Sequence, residues 1–494
     1  MGPPGMFYRD RGYRAVRLPA HKTKIVCTIG PASRSEAVLE QLMLQGMNVA
    51  RLNFAHGTLQ GHREDIGRIR AVADRAERSC MILADLPGPK IRIGKLLHEP
   101  LLLEKDHAVI LTAQDSVGTA DQIPVEYKRL PESVSPGSLI FLNDGFIQLQ
   151  VEKVSKDKVF CRTVIGGPLL SYKGLHLPGV KIFADAVSDT DLEFVAFALQ
   201  EGVDAFGVSF AESADDIRKV KALAQKHGQS AYVVAKIERA EAIANFEEIV
   251  TAADAIMIAR GDLGVQIPIQ DVPAVQKKLI NKANLLGRPV ITATQMLLSM
   301  TENIRPTRAE VSDVANAIFD GTDAVMLSEE TAIGKYPVET VEMIAKIATS
   351  AERERKTVQT LADLPAYFRT GAGSDSIRVE DIFSLNTVEC ANALHVRYIL
   401  ARTQSKGAAC FISRFKPDCW ILSFRGDVKT NHFSALSYGV YPVFLEDKTN
   451  AFSDMAMRFL IKTGMVEKDE KMILIEDESH DVMPETLLMK IFKV

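Results

Sequence analysis

Between residues 23 and 331 one pattern recurs eight times: a short apolar, β-branched run closed by polar residues or glycine. The runs are TKIVCTIG, NVARLNF, MILADLPG, DAFGVSF, AYVVAKIE, AIMIARGD, PVITATQM and AVMLSEET. Most lead into a segment whose apolar residues return every three or four positions, as in SEAVLEQLMLQGM and VPAVQKKLINKANLLG, the period of a helix packed on one face. One helix start is explicit, because Thr307 stands three residues before Glu310 in TRAE, the spacing of a capping box. Nearly continuous apolar strands imply burial on both faces, and parallel strands need crossover connections. Eight such units predict an α/β fold, a closed (β/α)8 barrel.

The pattern breaks once. From residue 91 to 177 the helical period disappears, and alternating runs such as HAVILTA, SLIFLND and KVFCRTVI stand between turn residues, predicting an all-β domain inserted after the third barrel strand. Beyond the barrel, VRYILART, CWILSF and KMILIED alternate with helical segments. The predicted organisation is an N-terminal arm at 1–20, a barrel over 21–90 and 178–350, an inserted β lid at 91–177, and a C-terminal α/β domain at 351–494. TGAGSDS falls in the loop or linker leading into that last domain.

Composition narrows the function. With 494 residues the chain exceeds one ordinary core. A net charge of -4 lacks the basic surplus that nucleic-acid binding needs. No apolar run approaches the roughly 20 residues of a membrane span. The six cysteines are scattered without a C-x-x-C pair, which predicts reduced thiols in a cytoplasmic protein.

Barrel active sites form at the carboxyl ends of the strands. There the second run carries Arg51, Asn53 and His56, and the third ends at Asp85 with Lys90 and Arg92 just beyond. The fifth gives Lys236 and Glu238, the sixth Gly261 and Asp262, the seventh Thr294 and Gln295, the eighth Ser328, Glu330 and Thr331. Side chains alternate along a strand, so Lys236 and Glu238 share one face. On their own they read equally as a structural ion pair. In company they read as chemistry: Glu238 and Asp262 suit one Mg2+ or Mn2+, while Arg51, Arg92 and Lys236 are the donors expected around phosphate. The RGDLG turn offers the amides of Gly261 and Asp262 to an anion. Together these suit phosphoryl transfer, in which a protein mainly positions groups and neutralises charge.

The stretches TKIVCTIGPAS, VARLNFAHGT, KGLHLPG, AKIERAEAI, IMIARGDLGV, PVITATQML and RPTRAEVSDVANAIFDGTDAVMLSEETAIGKYP resemble, in order, those of the pyruvate kinase family. ISRFKP and ALSYGVYPVF resemble its C-terminal domain. The resemblance implies transfer of the phosphoryl group of phosphoenolpyruvate to ADP, giving pyruvate and ATP. It implies that Lys236 stabilises the moving phosphoryl, that Arg51 binds phosphate, and that Glu238 and Asp262 hold the divalent ion. Thr294, with the amides of Gly261 and Asp262, would hold the substrate carboxylate. Arg92, His56 and Pro31, with Lys173 and Asp144 of the insertion, fall where the family binds nucleotide or closes over it. A homotetramer is the family's expected assembly.

Several positions depart from the family's pattern. Asn53 and Asp85 keep two of the residues that potassium-requiring members use, but Ala55 and Leu86 stand where hydroxyls would be, and Lys90 replaces a glutamate. An ammonium at 90 supplies a monovalent charge directly, so the expectation is activity without K+. Glu329 replaces a glycine in LSEETA. Thr403, Ser405 and Lys406 lie where some relatives cradle an effector phosphate; a phosphorylated effector or an ordinary strand-to-helix turn both fit. Two other functions fit parts of the pattern: a metal-dependent carbon-carbon lyase on the same kind of barrel, and a catalytically silent metabolite binder.

Overall fold

The computed structural model describes residues 18–143, 145–180, 185–355, 378–402, 408–425, 432–444, 452–480 and 483–494. The expected arm is therefore represented by residues 18–20 alone, and Asp144, the TGAGSDS segment and the loop of Thr403, Ser405 and Lys406 lie outside the described residues.

All eight expected barrel strands form. In chain order they are Lys24–Thr28, Met47–Asn53, Met81–Asp85, Ala205–Val208, Tyr232–Ile237, Ala255–Ala259, Val290–Ala293 and Ala324–Leu327, paired in parallel and closed by the first strand against the eighth. Alternation divides each strand between two cores. In the fifth, Val233, Ala235 and Ile237 pack outward under the helices, while Tyr232 and Val234 fill the interior. Val49, Met81, Leu83, Met257 and Ile291 belong to the same interior cluster. The two-residue period then carries Arg51 beyond Val49, Asp85 beyond Leu83, and Lys236 beyond Val234. The ionic residues thus form the upper layer of the barrel interior.

Between the third and fourth strands lies a β domain with its own core, including Ile93, Leu111, Ile140, Leu149 and Val159. Its main sheet has six strands, antiparallel except where Ala108–Thr112 runs parallel to Gln122–Pro124. A single helical turn, Leu130–Ser133, interrupts the expected all-β character.

The C-terminal region forms a five-stranded sheet, parallel except for its final hairpin strand Met483–Lys493, with apolar cores on both faces. It closes the barrel floor. Phe433 and Leu436 enter the interior cluster, and the Phe433 ring stacks on Tyr232 with centroids 4.1 Å apart. Lys416 pairs with Asp323 at 2.7 Å, and His432 with Asp204 at 3.0 Å. Among the described residues no helix is long and apolar enough to cross a membrane, and the six cysteines are free thiols.

Candidate active site

The upper interior layer holds an ionic chain from Arg51 to Glu238 and, beside it, the ion pair of Lys90 with Asp262. Arg51 donates from Nε to Asp85 Oδ2 at 2.6 Å and from Nη1 to Thr28 Oγ1 at 2.9 Å. Lys236 Nζ lies 3.1 Å from Asp85 Oδ1, 3.1 Å from Glu238 Oε1 and 2.6 Å from Ser209 Oγ. Glu238 Oε2 accepts the Phe210 amide at 2.7 Å. Lys90 Nζ meets Asp262 Oδ1 at 3.2 Å. The lysine that the sequence assigns to a cation position with Asn53 and Asp85 is thus paired with Asp262, and Asp85 is occupied by Arg51 and Lys236.

Burial and charge set the protonation states. Burial alone would raise Asp85, but Lys236 and Arg51 outweigh it and hold the carboxyl below its usual range. Burial alone would lower Lys236; Asp85 and Glu238 overcome it and raise the ammonium. At Asp262, Lys90, His176 and Lys236 outweigh burial and depress the carboxyl. Glu238 differs: burial, reinforced by Asp262 and Asp85, wins over Lys236 and raises it. Glu238 is thus the carboxylate with the least cationic compensation, and further positive charge beside it and Asp262 would be favourable. A pair, not a triad, suits an ion that keeps positions for water and substrate oxygens. Among the described residues no group of three or more metal-ligating side chains forms.

Close backbone approach makes room for this layer. A Cβ on Gly207 would lie 2.9 Å from Asp85 Oδ1, so glycine at this interior position leaves space for the carboxylate. Thr294 and Gln295, at the tip of the seventh strand, adopt φ of 71° and 54°. The Thr294 hydroxyl accepts the Gly261 amide at 2.7 Å and donates to the Ala293 carbonyl at 2.6 Å. One of the two amides expected to face an anion is therefore directed at Thr294.

Around the rim, Arg92 donates to the Tyr172 carbonyl at 2.9 Å and bridges to Gly174, at the root of the β domain. His56 stands near Arg92, Arg51 and Lys90; burial first, then these cations, lower its pKa and favour neutral imidazole. Pro31 is exposed beside Gly30, where a Cβ would lie 2.6 Å from the Ala332 carbonyl. Lys173 is half-buried, and its carbonyl accepts the Ile93 amide at 3.0 Å. Glu330 is fully buried and accepts the amides of Leu297 and Ser328, a structural role. Glu329 is exposed at the head of the turn Glu329–Ala332, with φ outside the left-handed region, so it adds no backbone strain there.

Besides Thr28, which accepts from Arg51, two participants escaped the sequence reading. Ser209 is one, although alternation through Ala205 and Gly207 puts it on the interior side. Arg260 is the other: its guanidinium reaches the Thr294 carbonyl at 2.8 Å, a contact between strands that local pattern does not announce.

A closed parallel barrel with charged groups gathered at the carboxyl ends of its strands is the layout of a barrel enzyme. Residues 20–341 match the family description "Pyruvate kinase, barrel domain", and residues 381–492 match "Pyruvate kinase, alpha/beta domain". A pyruvate kinase of Thermococcus litoralis is 46% identical over 484 residues, covering 97% of this chain and 100% of the relative. Pyruvate kinases of Staphylococcus epidermidis and Staphylococcus haemolyticus are 41% and 42% identical, covering 96% and 92% of this chain and 80% and 77% of theirs. The chain belongs to the pyruvate kinase family and is a phosphotransferase.

Proposed function

We propose that the chain moves the phosphoryl group of phosphoenolpyruvate onto ADP, in the glycolytic direction. The phosphorus–oxygen bond to the enol oxygen breaks, a bond to the terminal ADP oxygen forms, and the enolate takes a proton at carbon to become pyruvate. The carrying observation is Lys236: a nearly buried ammonium, kept charged by Asp85 and Glu238, at the tip of a barrel strand. Such a charge stabilises negative charge on a phosphoryl in transit more strongly than it would in water. Arg51, already oriented by Asp85, contributes a fork to the phosphate. The Thr294 hydroxyl, turning its proton away from the Ala293 carbonyl, and the Asp262 amide hold the substrate carboxylate, and Arg92, His56, Lys173 and Pro31 form the nucleotide side. Asp144 belongs to the same expectation.

Glu238 and Asp262 would hold Mg2+ or Mn2+, which would supply Lewis-acid neutralisation of phosphoryl oxygens when bound. Arg51, Lys90 and Lys236 already balance Asp85, Glu238 and Asp262 one for one. An incoming polyanion therefore calls for additional cationic charge. Lys90 brings a fixed positive charge to this rim, which supports turnover without K+. The β domain would act as a lid over the rim, a reading supported by Gly145, where a Cβ would lie 3.9 Å from Val265 of the helix Arg260–Gln266, and such cover would keep water from an enolate.

The test is ADP-dependent pyruvate formation in a coupled assay, with phosphoenolpyruvate binding titrated in parallel. Binding without turnover would instead identify a silent binder, and pyruvate release independent of ADP would point to lyase chemistry.

A further inference from the structure

A threonine in the left-handed region is costly, because the branched Cβ crowds the backbone, and such a conformation persists only where the surroundings over-determine it. Here Thr294 is followed by Gln295, also left-handed. Arg260 bonds to the residues on either side of Gln295. Its Nη2 donates to the Thr294 carbonyl at 2.8 Å and reaches Met296 Sδ at 3.5 Å. Its Nη1 donates to Asp313 Oδ1 at 2.7 Å and to Gln276 Oε1 at 3.4 Å, and Gln276 is itself tied to Asp320 at 3.1 Å. The arginine side chain is 12% exposed and Asp313 40%, so the ion pair is partly screened while the guanidinium itself is largely withdrawn from water.

The next residue completes a ring. Gly261, covalently joined to Arg260, directs its amide at the Thr294 hydroxyl. Residues 260 and 261 at the sixth-strand tip therefore grip two polar groups of Thr294 at the seventh: side chain to carbonyl, backbone to hydroxyl. The fork geometry matters, since the planar guanidinium reaches Thr294 from Nη2 and Asp313 from Nη1, a two-nitrogen span that the single nitrogen of a lysine does not match.

We propose that Arg260 is a positioning residue that holds Thr294 in its left-handed conformation and thereby sets phosphoenolpyruvate affinity. This rests on the reading of Thr294 as the group facing the substrate carboxylate. On that reading Thr294 serves a carboxylate, a group that ADP lacks, so the expected effect is confined to phosphoenolpyruvate.

The test is a double-mutant cycle of Arg260→Gln and Thr294→Ala, read as KM for each substrate with folding followed by circular dichroism and Tm. The expected result is a rise in KM for phosphoenolpyruvate of about tenfold or more in each single variant, KM for ADP within about twofold, and little additional loss in the double variant. Should Arg260→Gln fail to fold, Arg260→Lys and Asp313→Asn carry the measurement, each with an intermediate rise confined to phosphoenolpyruvate. Additive effects, or equal rises for both substrates, overturn the inference while leaving Thr294 as a substrate contact. A silent Thr294→Ala beside a deficient Arg260→Gln overturns the reading of Thr294 and the inference with it.

Discussion

At the residue scale, Lys236 is the most exacting position. Its ammonium touches Asp85, Glu238 and Ser209 and is nearly buried, so removing it leaves two buried carboxylates without their common partner. Lys236→Met is expected to lower kcat by about a thousandfold or more while KM for phosphoenolpyruvate shifts by only a few-fold, because the charge acts mainly on the transition state. Near-normal kcat in this variant would refute the assigned role. Lys90 gives a second expectation. Adding KCl to an assay in Tris buffer should change turnover by less than about tenfold, roughly 1.4 kcal/mol of barrier. Lys90→Met should lose activity without recovering it in KCl, since exposed Ala55 and buried Leu86 supply no hydroxyl for the ion. Activation by KCl in the unmodified chain would refute this.

At the scale of the element, strand alternation explains what could be read in advance. Val49, Leu83 and Val234 belong to the barrel interior, and counting two residues onward finds Arg51, Asp85 and Lys236 without knowing any tertiary contact. Thr307 and Glu310 were equally legible, and they do form the reciprocal cap of Arg308–Phe319. Illegible were features set by the meeting of distant segments. The pairing of Lys90 with Asp262, the left-handed turn at Thr294 and the Arg260 bridge depend on how neighbouring strand tips converge, which no window of one strand contains. Glu310 itself shows the limit: beyond capping its own helix, it also binds the Ser299 amide and hydroxyl. Gly207 tests the ionic layer as an element. In Gly207→Ala a new methyl would meet Asp85 at 2.9 Å, in a fully buried layer. Overpacking of this kind costs about 1–3 kcal/mol, and it displaces the carboxylate that orients both Arg51 and Lys236. Chemical denaturation should show that loss together with reduced kcat; full activity would mean that Asp85 tolerates movement.

For the whole molecule, the telling contact is Lys24, where the first barrel strand meets the C-terminal sheet. Its Nζ donates to the Val440 carbonyl at 2.6 Å and lies 5.1 Å from the Trp420 ring centroid. Burial lowers its pKa from 10.5 to about 7, against the smaller opposing pull of Glu352 and Asp323. The unfolded chain therefore keeps a proton that the folded chain has begun to release. Between about pH 7 and 10.5 the unfolded state binds more protons, so this residue makes stability rise with pH, by at most about 1.4 kcal/mol per pH unit. Below that window both states carry the charge, and the full burial cost is present. Lys24→Met removes the titration but keeps most of the packing, so its stability relative to the parent should be most favourable near pH 7 and decline toward pH 9. Measuring that difference isolates Lys24 from Lys416, whose pKa is also lowered, chiefly by burial. A difference that stays flat from pH 7 to 9 would mean that the ammonium remains charged throughout, making the junction between barrel and C-terminal sheet a permanent buried cation.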